Sequence, residues 1–153
     1  MKNVMLISDM LLPEYITDLI STTKEAALDE LLNLITGSPL ITDEKKFRKA
    51  IMDREKMMST GIGLGVAVPH ARDKSVKDFV IAVGRSLNGI DFDSIDDKPV
   101  QLIFMIGASD SQDKDYIRLL ARLVLRLKNE DLKKNILEAA NANEIYNVIC
   151  SSR

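Results

Sequence analysis

The chain has one histidine, His70, and it ends an unusual run: Gly61-Ile62-Gly63-Leu64-Gly65-Val66-Ala67-Val68-Pro69-His70-Ala71-Arg72. Imidazole is the side chain whose ordinary pKa lies near neutrality, so it serves as nucleophile, proton carrier or ligand. With a single histidine in 153 residues, a histidine pair or an imidazole metal cage is excluded. Three roles remain: lone nucleophile, lone acid/base, or structural residue. Glycines at 61, 63 and 65 allow positive φ and bring backbone amides close to an anion. They do not spell a dinucleotide fingerprint, which needs glycine at 61, 63 and 66 between a strand and a helix, and position 66 is valine. A P-loop is absent too, because Gly-Lys-Ser/Thr occurs nowhere. Pro69 fixes φ immediately before the imidazole. Arg72, two residues on, projects from the same face as His70 if the backbone is extended. Upstream stands Asp53-Arg54-Glu55. Either Arg54 or Arg72 can bring a fixed cationic fork to a phosphoryl group at the imidazole. The plainer alternative is a satisfied strand-end histidine beside solvated arginines, and the residues alone leave both open.

The elements that must position these residues follow from patterning. Thr22-Thr23-Lys24-Glu25 reads as a capping box with Thr22 as N-cap. Leu28, Leu31, Leu32 and Ile35 then share one helical face, and Gly37-Ser38-Pro39 stops that helix. Thr42-Asp43 caps a second helix carrying Phe47, Ala50 and Ile51 and ending near Arg54 or Met57. Val66-Ala67-Val68 reads as a short strand stopped by Pro69. Phe79–Gly84 is a strand, and Asn88-Gly89 signals a turn before Ile90-Asp91-Phe92. Pro99–Gly107 is nearly all apolar, the pattern of a strand covered on both faces. Asp110–Lys128 is the longest helix, with Ile117, Leu120, Ala121, Val124 and Leu127 as its stripe and Arg118, Arg122 and Arg126 opposite. Two further helices follow, over about Glu130–Ala140 and Asn143–Cys150. Helices flanking three or four strands predict an α/β fold with helices covering the sheet.

Bulk properties narrow the function. The length suits one domain spanning 1–153. A net charge of −2 leaves no electrostatic footprint for nucleic acid or anionic membranes. No apolar run is long enough to span a bilayer, so direct membrane insertion is not expected. The first nine residues have too short an apolar core for a signal peptide. The single Cys150 cannot form an internal disulfide, which points to a reducing cytoplasm, and its helical spacing after Ile145, Val148 and Ile149 predicts a buried small hydrophobe.

The arrangement resembles the enzyme IIA domain of the fructose/mannitol class of the bacterial phosphoenolpyruvate-dependent sugar phosphotransferase system. That signature is a helix ending in Arg-Glu, a Thr-Gly-rich loop, then aliphatic–Ala–aliphatic–Pro–His. Here it is met by Asp53-Arg54-Glu55, Ser59-Thr60-Gly61-Ile62-Gly63, and Val66-Ala67-Val68-Pro69-His70. Gly84-Arg85-Ser86, Gly89–Asp96 and Pro99-Val100 extend the likeness to about Thr23–Ile149. The resemblance implies a three-layer α/β/α sandwich around a small mixed sheet, in keeping with about five helices read above. It also implies a phosphoryl relay. His70 would accept the group from the phosphohistidine of the carrier protein HPr and pass it to an enzyme IIB domain, which phosphorylates sugar as it enters through a membrane component. Arg54 would hold phosphoryl oxygens, and Thr60, Gly61, Gly63 and Arg72 would form the phosphate-binding loop. A neutral imidazole nitrogen is the nucleophile, so the other nitrogen must keep its proton on an acceptor. The transferring group is metaphosphate-like and needs positioning and charge stabilisation more than covalent help. No cofactor or metal is called for.

One position departs from the family. Many members carry a second histidine at the start of the long helix; aligning on Leu120-Ala121-Arg122-Leu123 puts Tyr116 there. A phenol donates a hydrogen bond but does not become cationic; alternatively Tyr116 only packs its ring. Two functions stand side by side: a sugar-transport enzyme IIA, and a nitrogen-regulatory enzyme IIA that uses the same histidine and acts by binding regulatory protein targets. The absence of a fused IIB or IIC region and the presence of Tyr116 favour the second. Met57, Met58, Leu64 and Val66 are candidates for a docking face around His70, or else for ordinary core packing.

Overall fold

The computed structural model describes residues 7–151. In chain order a 3₁₀ turn (Ile7–Asp9) leads to β1 (Leu11–Asp18), α1 (Lys24–Ile35), α2 (Glu44–Met57), β2 (Gly61–Gly63), β3 (Val66–Ala67), β4 (His70–Arg72), β5 (Val80–Ile90), β6 (Val100–Ala108), α3 (Asp113–Leu127), α4 (Glu130–Glu138) and α5 (Ala142–Ser151). The apolar strand expected from Pro99–Gly107 is β6, and the sheet is assembled on it. β5 pairs with it antiparallel, with Ile81 opposite Ile106 and Val83 opposite Phe104. On its other edge β3 and β4 both run parallel to it, one after the other, with Ala67 opposite Ile103 and His70 opposite Ile106. β1 lies parallel outside β5, and β2 antiparallel outside β3. The order is therefore β1-β5-β6-β3-β2, with β4 also against β6.

Side-chain alternation along β6 sorts the core into two layers. Leu102, Phe104, Ile106 and Ala108 meet Leu119 and Leu123 of α3, Ile136 of α4 and Ile145 and Ile149 of α5. Ile103 and Met105 meet Leu28, Leu31 and Leu32 of α1 and Phe47 and Ile51 of α2. The three-layer α/β/α sandwich implied by the resemblance is thus what forms, with five α-helices among the described residues.

Several local expectations need correction. The N-cap of α1 is Thr23, whose hydroxyl accepts from the Ala26 N–H at 3.2 Å; with the cap one residue later than Thr22, Glu25 no longer sits at the third helical position of a capping box. Asp43 does cap α2, accepting from the Lys46 N–H. Asn88-Gly89 is not a hairpin turn. β5 continues to Ile90, and Gly89 (φ +82°) absorbs an irregularity between Arg85 and Ile90, where a Cβ would come 2.8 Å from the Pro99 ring. β1 is not among the strands the patterning predicts; Pro13 is tolerated in it because β1 is an edge. On α3 the inward face is Leu119, Leu123 and Leu127, flanked by partly buried Tyr116, Leu120 and Val124; Ile117 and Ala121 point to solvent. Apolar residues cover so much of this helix that periodicity alone misplaced its buried face by part of a turn. Arg126 is correspondingly half-buried and donates to the Ile149 carbonyl at 2.7 Å. Cys150 is half-buried rather than buried, and burial pushes its thiol pKa up against the opposing pull of the Tyr146 hydroxyl and Arg126.

One buried cation ties the layers together. Arg85, on β5, donates through Nε and Nη2 to the two oxygens of Asp18 on β1, at 2.6 and 3.0 Å. Its Nη1 reaches the Ile136 and Ala139 carbonyls, at 3.0 and 2.7 Å, at the end of α4, where the Ile136 carbonyl also takes the Ala139 N–H at 3.3 Å. Replacing Arg85 by methionine removes a donor from both carbonyls and both bonds to Asp18, and should lower the unfolding free energy by about 2–4 kcal/mol. Urea denaturation at unchanged m-value measures it; a loss below about 1 kcal/mol, the size of a surface ion pair, would show that the side chain is not a structural tie.

Candidate functional site

The site is built at the join between β3 and β4. Both strands lean on β6, and the residues between them are Val68 and Pro69. Pro69 has no N–H to give the ladder, but its carbonyl accepts from the Ile106 N–H at 2.9 Å. Val68 therefore turns its peptide groups away from β6. Its N–H donates to the Thr60 carbonyl at 2.9 Å, and its own carbonyl is taken by His70 Nδ1 at 2.7 Å. A carbonyl only accepts, so Nδ1 carries the imidazole proton and Nε2 carries the lone pair. The pKa of His70 lies below its ordinary value. Burial is the largest cause and the Arg54 cation adds to it, against the Val68 carbonyl and the Glu55 carboxylate, which pull upward. The imidazole is a neutral base at neutral pH.

His70 opens into a mostly apolar groove of about 470 Å³, whose walls include Arg54, Met58, Thr60, Val68, Ile95 and Leu120. Arg54 comes from the last turn of α2, where its charge complements the helix C-terminus. One Nη1 bond to the Met58 carbonyl, at 2.8 Å, fastens the guanidinium at the groove, and its remaining donors have no partner among the described residues. Tyr116, on the first turn of α3, stands beside the histidine, with ring centroids 5.8 Å apart and planes tilted by 57°. Burial drives its phenol pKa up to about 12, against the cations of Arg72 and Arg54, so the hydroxyl stays protonated at neutral pH. Arg72 shares the His70 side of the strand as the spacing predicted, and lies over the Tyr116 ring, 5.6 Å from its centroid. Arg72 itself is not in the groove wall.

The glycine run behaves differently from expectation. Thr60 and Gly61 line the groove, but Gly63 does not. Gly63, Leu64 and Gly65, at φ +89°, +60° and +78°, make the turn of the β2–β3 hairpin. Three amides of this run are bonded within the protein: Thr60 N–H to Glu55, Gly61 N–H to the Ser59 hydroxyl, Leu64 N–H to Asp96. Thr60 and Gly61, the two of them at the groove, therefore offer no open amide to an anion. Gly61 is needed for close approach instead, since a Cβ there would sit 2.4 Å from Ser94 Oγ. Of the proposed docking residues, Met57, Met58 and Leu64 are exposed, while Val66 is fully buried in the sheet and belongs to the core.

Two residues carry more of the site than their sequence positions suggested. Glu55 is buried and accepts from the Thr60 N–H and hydroxyl, at 2.8 and 2.6 Å, and from Lys24 Nζ at 2.9 Å. Lys24, at the start of α1, also lies 4.7 Å over the Phe92 ring. A signal for Glu55 existed: an acidic side chain in the last turn of a helix opposes the helix dipole and needs a partner. Nothing in the sequence tied Lys24 to it.

Comparison with known proteins agrees with this architecture. The sequence profile of the family described as "Phosphoenolpyruvate-dependent sugar phosphotransferase system, EIIA 2" matches residues 10–152. The chain is 37% identical over 129 residues to the fructose-specific EIIABC component of Bacillus subtilis, covering 84% of this chain but only 20% of that larger protein. It is 35% identical over 127 residues to the fructose-specific EIIA component of Haloferax volcanii, covering 83% and 82% of the two chains. The crystal structure of nitrogen regulatory protein IIA-Ntr from Neisseria meningitidis superimposes with a TM-score of 0.85 at 27% identity, over 94% of this chain and 98% of that one. A groove with one neutral, aimed imidazole beside an arginine, on this sandwich and with this match over nearly its whole length, places the chain in the EIIA type 2 family of the phosphoenolpyruvate-dependent sugar phosphotransferase system.

Proposed function

We propose that the protein is a phosphoryl carrier in which Nε2 of His70 accepts the group from the phosphohistidine of HPr and passes it to an enzyme IIB of fructose or mannitol type. The observation that carries this reading is the 2.7 Å bond from Nδ1–H to the Val68 carbonyl, which leaves Nε2 as the basic, unprotonated nitrogen of a histidine lining an open groove. In the step itself the P–N bond of the donor breaks and the bond from Nε2 to phosphorus forms. The proton stays on Nδ1, bonded to the Val68 carbonyl, and that bond helps disperse the charge that the imidazole acquires. Arg54 supplies the fixed cation for the equatorial oxygens, and the Tyr116 hydroxyl offers a neutral donor. The apolar walls exclude water from the labile P–N bond, and exposed Met57 and Met58 give the rim a surface that adapts to two successive partners.

The nitrogen-regulatory alternative is favoured by one observation, the 0.85 superposition on the Neisseria meningitidis protein across almost the full length of both chains. In that reading the same phosphohistidine alters which target proteins bind the groove. Supplying a phosphorylated preparation with fructose-type IIB separates them, since a transport protein loses its label to IIB and a regulator retains it.

Incubation with phosphoenolpyruvate, enzyme I and HPr should give an acid-labile phosphate that His70→Ala abolishes; label persisting in that variant would sink the carrier reading. Arg54→Ala should slow acceptance by roughly 10²–10³-fold, the usual cost of losing one charge-stabilising donor. Unchanged kinetics would shift that role away from Arg54. The imidazole should titrate, by NMR, below the ordinary histidine value of about 6.5. Because the neutral form is the nucleophile, acceptance should hold as pH falls through 6.5 and decline only near that lower midpoint. In Arg54→Ala the midpoint should rise, since the arginine's charge disfavours protonation. A midpoint at or above the ordinary value in the wild type would contradict the burial argument.

A further inference from the structure

Glu55 is a buried carboxylate with no part in the transfer step described above, and it begins a continuous run of hydrogen bonds that ends on the imidazole. Lys24 Nζ meets Glu55 at 2.9 Å. Glu55 takes both the N–H and the hydroxyl of Thr60, at 2.8 and 2.6 Å, which fixes that residue at two points. The Thr60 carbonyl takes the Val68 N–H at 2.9 Å, and the Val68 carbonyl takes His70 Nδ1–H at 2.7 Å. The step through Val68 is stiff for a sequence reason. A residue before proline is confined to extended backbone, so fixing its N–H also fixes the direction of its carbonyl. No strand continues beyond Thr60 to hold the Val68 carbonyl from that side, because β2 reaches Val68 only through the Thr60 carbonyl.

Resting on the acceptor reading of His70, we infer that Glu55, neutralised by Lys24, is a positioning residue that sets the aim and the Nδ1–H tautomer of His70 through Thr60 and Val68. Lys24 comes from the first turn of α1, more than thirty residues upstream in the chain and beside α2 in the same helical layer, so the relay also fastens α1 to the groove. The pair makes four contacts: three donors on the Glu55 oxygens, and the Lys24 ammonium held a second time over Phe92. Ser59, next to Thr60, repeats the pattern on the opposite wall by donating to the Phe92 carbonyl at 2.7 Å.

The test pairs a spectroscopic readout with kinetics in Glu55→Gln, Thr60→Val, Thr60→Ser and Lys24→Met, each checked for a native amide spectrum. Nitrogen-15 shifts of the His70 ring report which nitrogen holds the proton. The wild type and Thr60→Ser, which keeps the hydroxyl, should show Nδ1–H. Glu55→Gln and Thr60→Val should populate the Nε2–H form and lose roughly 10–100-fold in phosphoryl acceptance from phospho-HPr, mainly in kcat, because the nucleophile is misaimed while docking is intact. Lys24→Met should fall between them. A folded Glu55→Gln or Thr60→Val protein with wild-type tautomer and rate would overturn the inference. A wild type that takes no phosphoryl group but whose tautomer still follows Glu55 would overturn the acceptor reading and leave the positioning role standing.

Discussion

The site depends on one interruption in a sheet. Two short strands run parallel to β6 on the same edge, and between them lies a proline that has no N–H for the ladder. The peptide of Val68 is thereby turned away from β6, towards an edge where β2 has already ended. A backbone carbonyl left without a partner in a half-buried position is costly, and the nearest donor is the imidazole two residues along. The bond that results satisfies the carbonyl, fixes the ring, and chooses the nitrogen that keeps its proton. A defect in pairing thus becomes the device that prepares the nucleophile of the proposed transfer. A regular strand through these positions would put the Val68 carbonyl in a ladder and leave the histidine free to rotate.

Electrostatics around the ring are arranged for an arriving anion rather than for the resting state. Arg54 beside a neutral imidazole disfavours its protonation, and burial does so more strongly. Both effects keep the lone pair available. In the proposed transfer the same arginine then faces a dianionic phosphoryl group, and its interaction becomes favourable. The Glu55 carboxylate works the other way, which is tolerable because Lys24 neutralises it within 2.9 Å. Without that lysine, a buried negative charge close to the groove would oppose every phosphoryl group that enters it.

The sequence displayed the parts of this site whose logic is local. His70, Pro69 and Arg54 stand in a short, readable pattern, and the apolar run of β6 announced a strand covered on both sides. What remained hidden was long-range. The glycine run looked like an anion cradle, yet the amides of Thr60, Gly61 and Leu64 are claimed by Glu55, Ser59 and Asp96, the last more than thirty residues away. Gly61 is required by Ser94, which no spacing rule connects to it. Asn88-Gly89 has turn chemistry, and a strand passes through it because β6 offers pairing on both sides of the bulge. On α3, apolar residues on most faces let tertiary packing, not periodicity, decide that Leu119 and Leu123 go in while Ile117 stays out.

Tyr116 shows how one substitution changes the behaviour of such a site. An imidazole at that place would titrate in the same range as His70, and the two would share protons as a coupled pair. A phenol whose pKa is pushed up to about 12 does not titrate anywhere near neutrality. Of the His70–Tyr116 pair, only His70 then changes charge near neutrality, by protonation or, in the proposed transfer, by phosphorylation. Tyr116 also links the second arginine to the centre, since Arg72 lies over its ring and the ring lies against His70. Arg72 therefore influences the imidazole through the position of Tyr116 rather than by touching the groove. The neighbour of the imidazole is in this way a neutral phenol, and the proton inventory of the proposed transfer reduces to the one held on Nδ1 against the Val68 carbonyl.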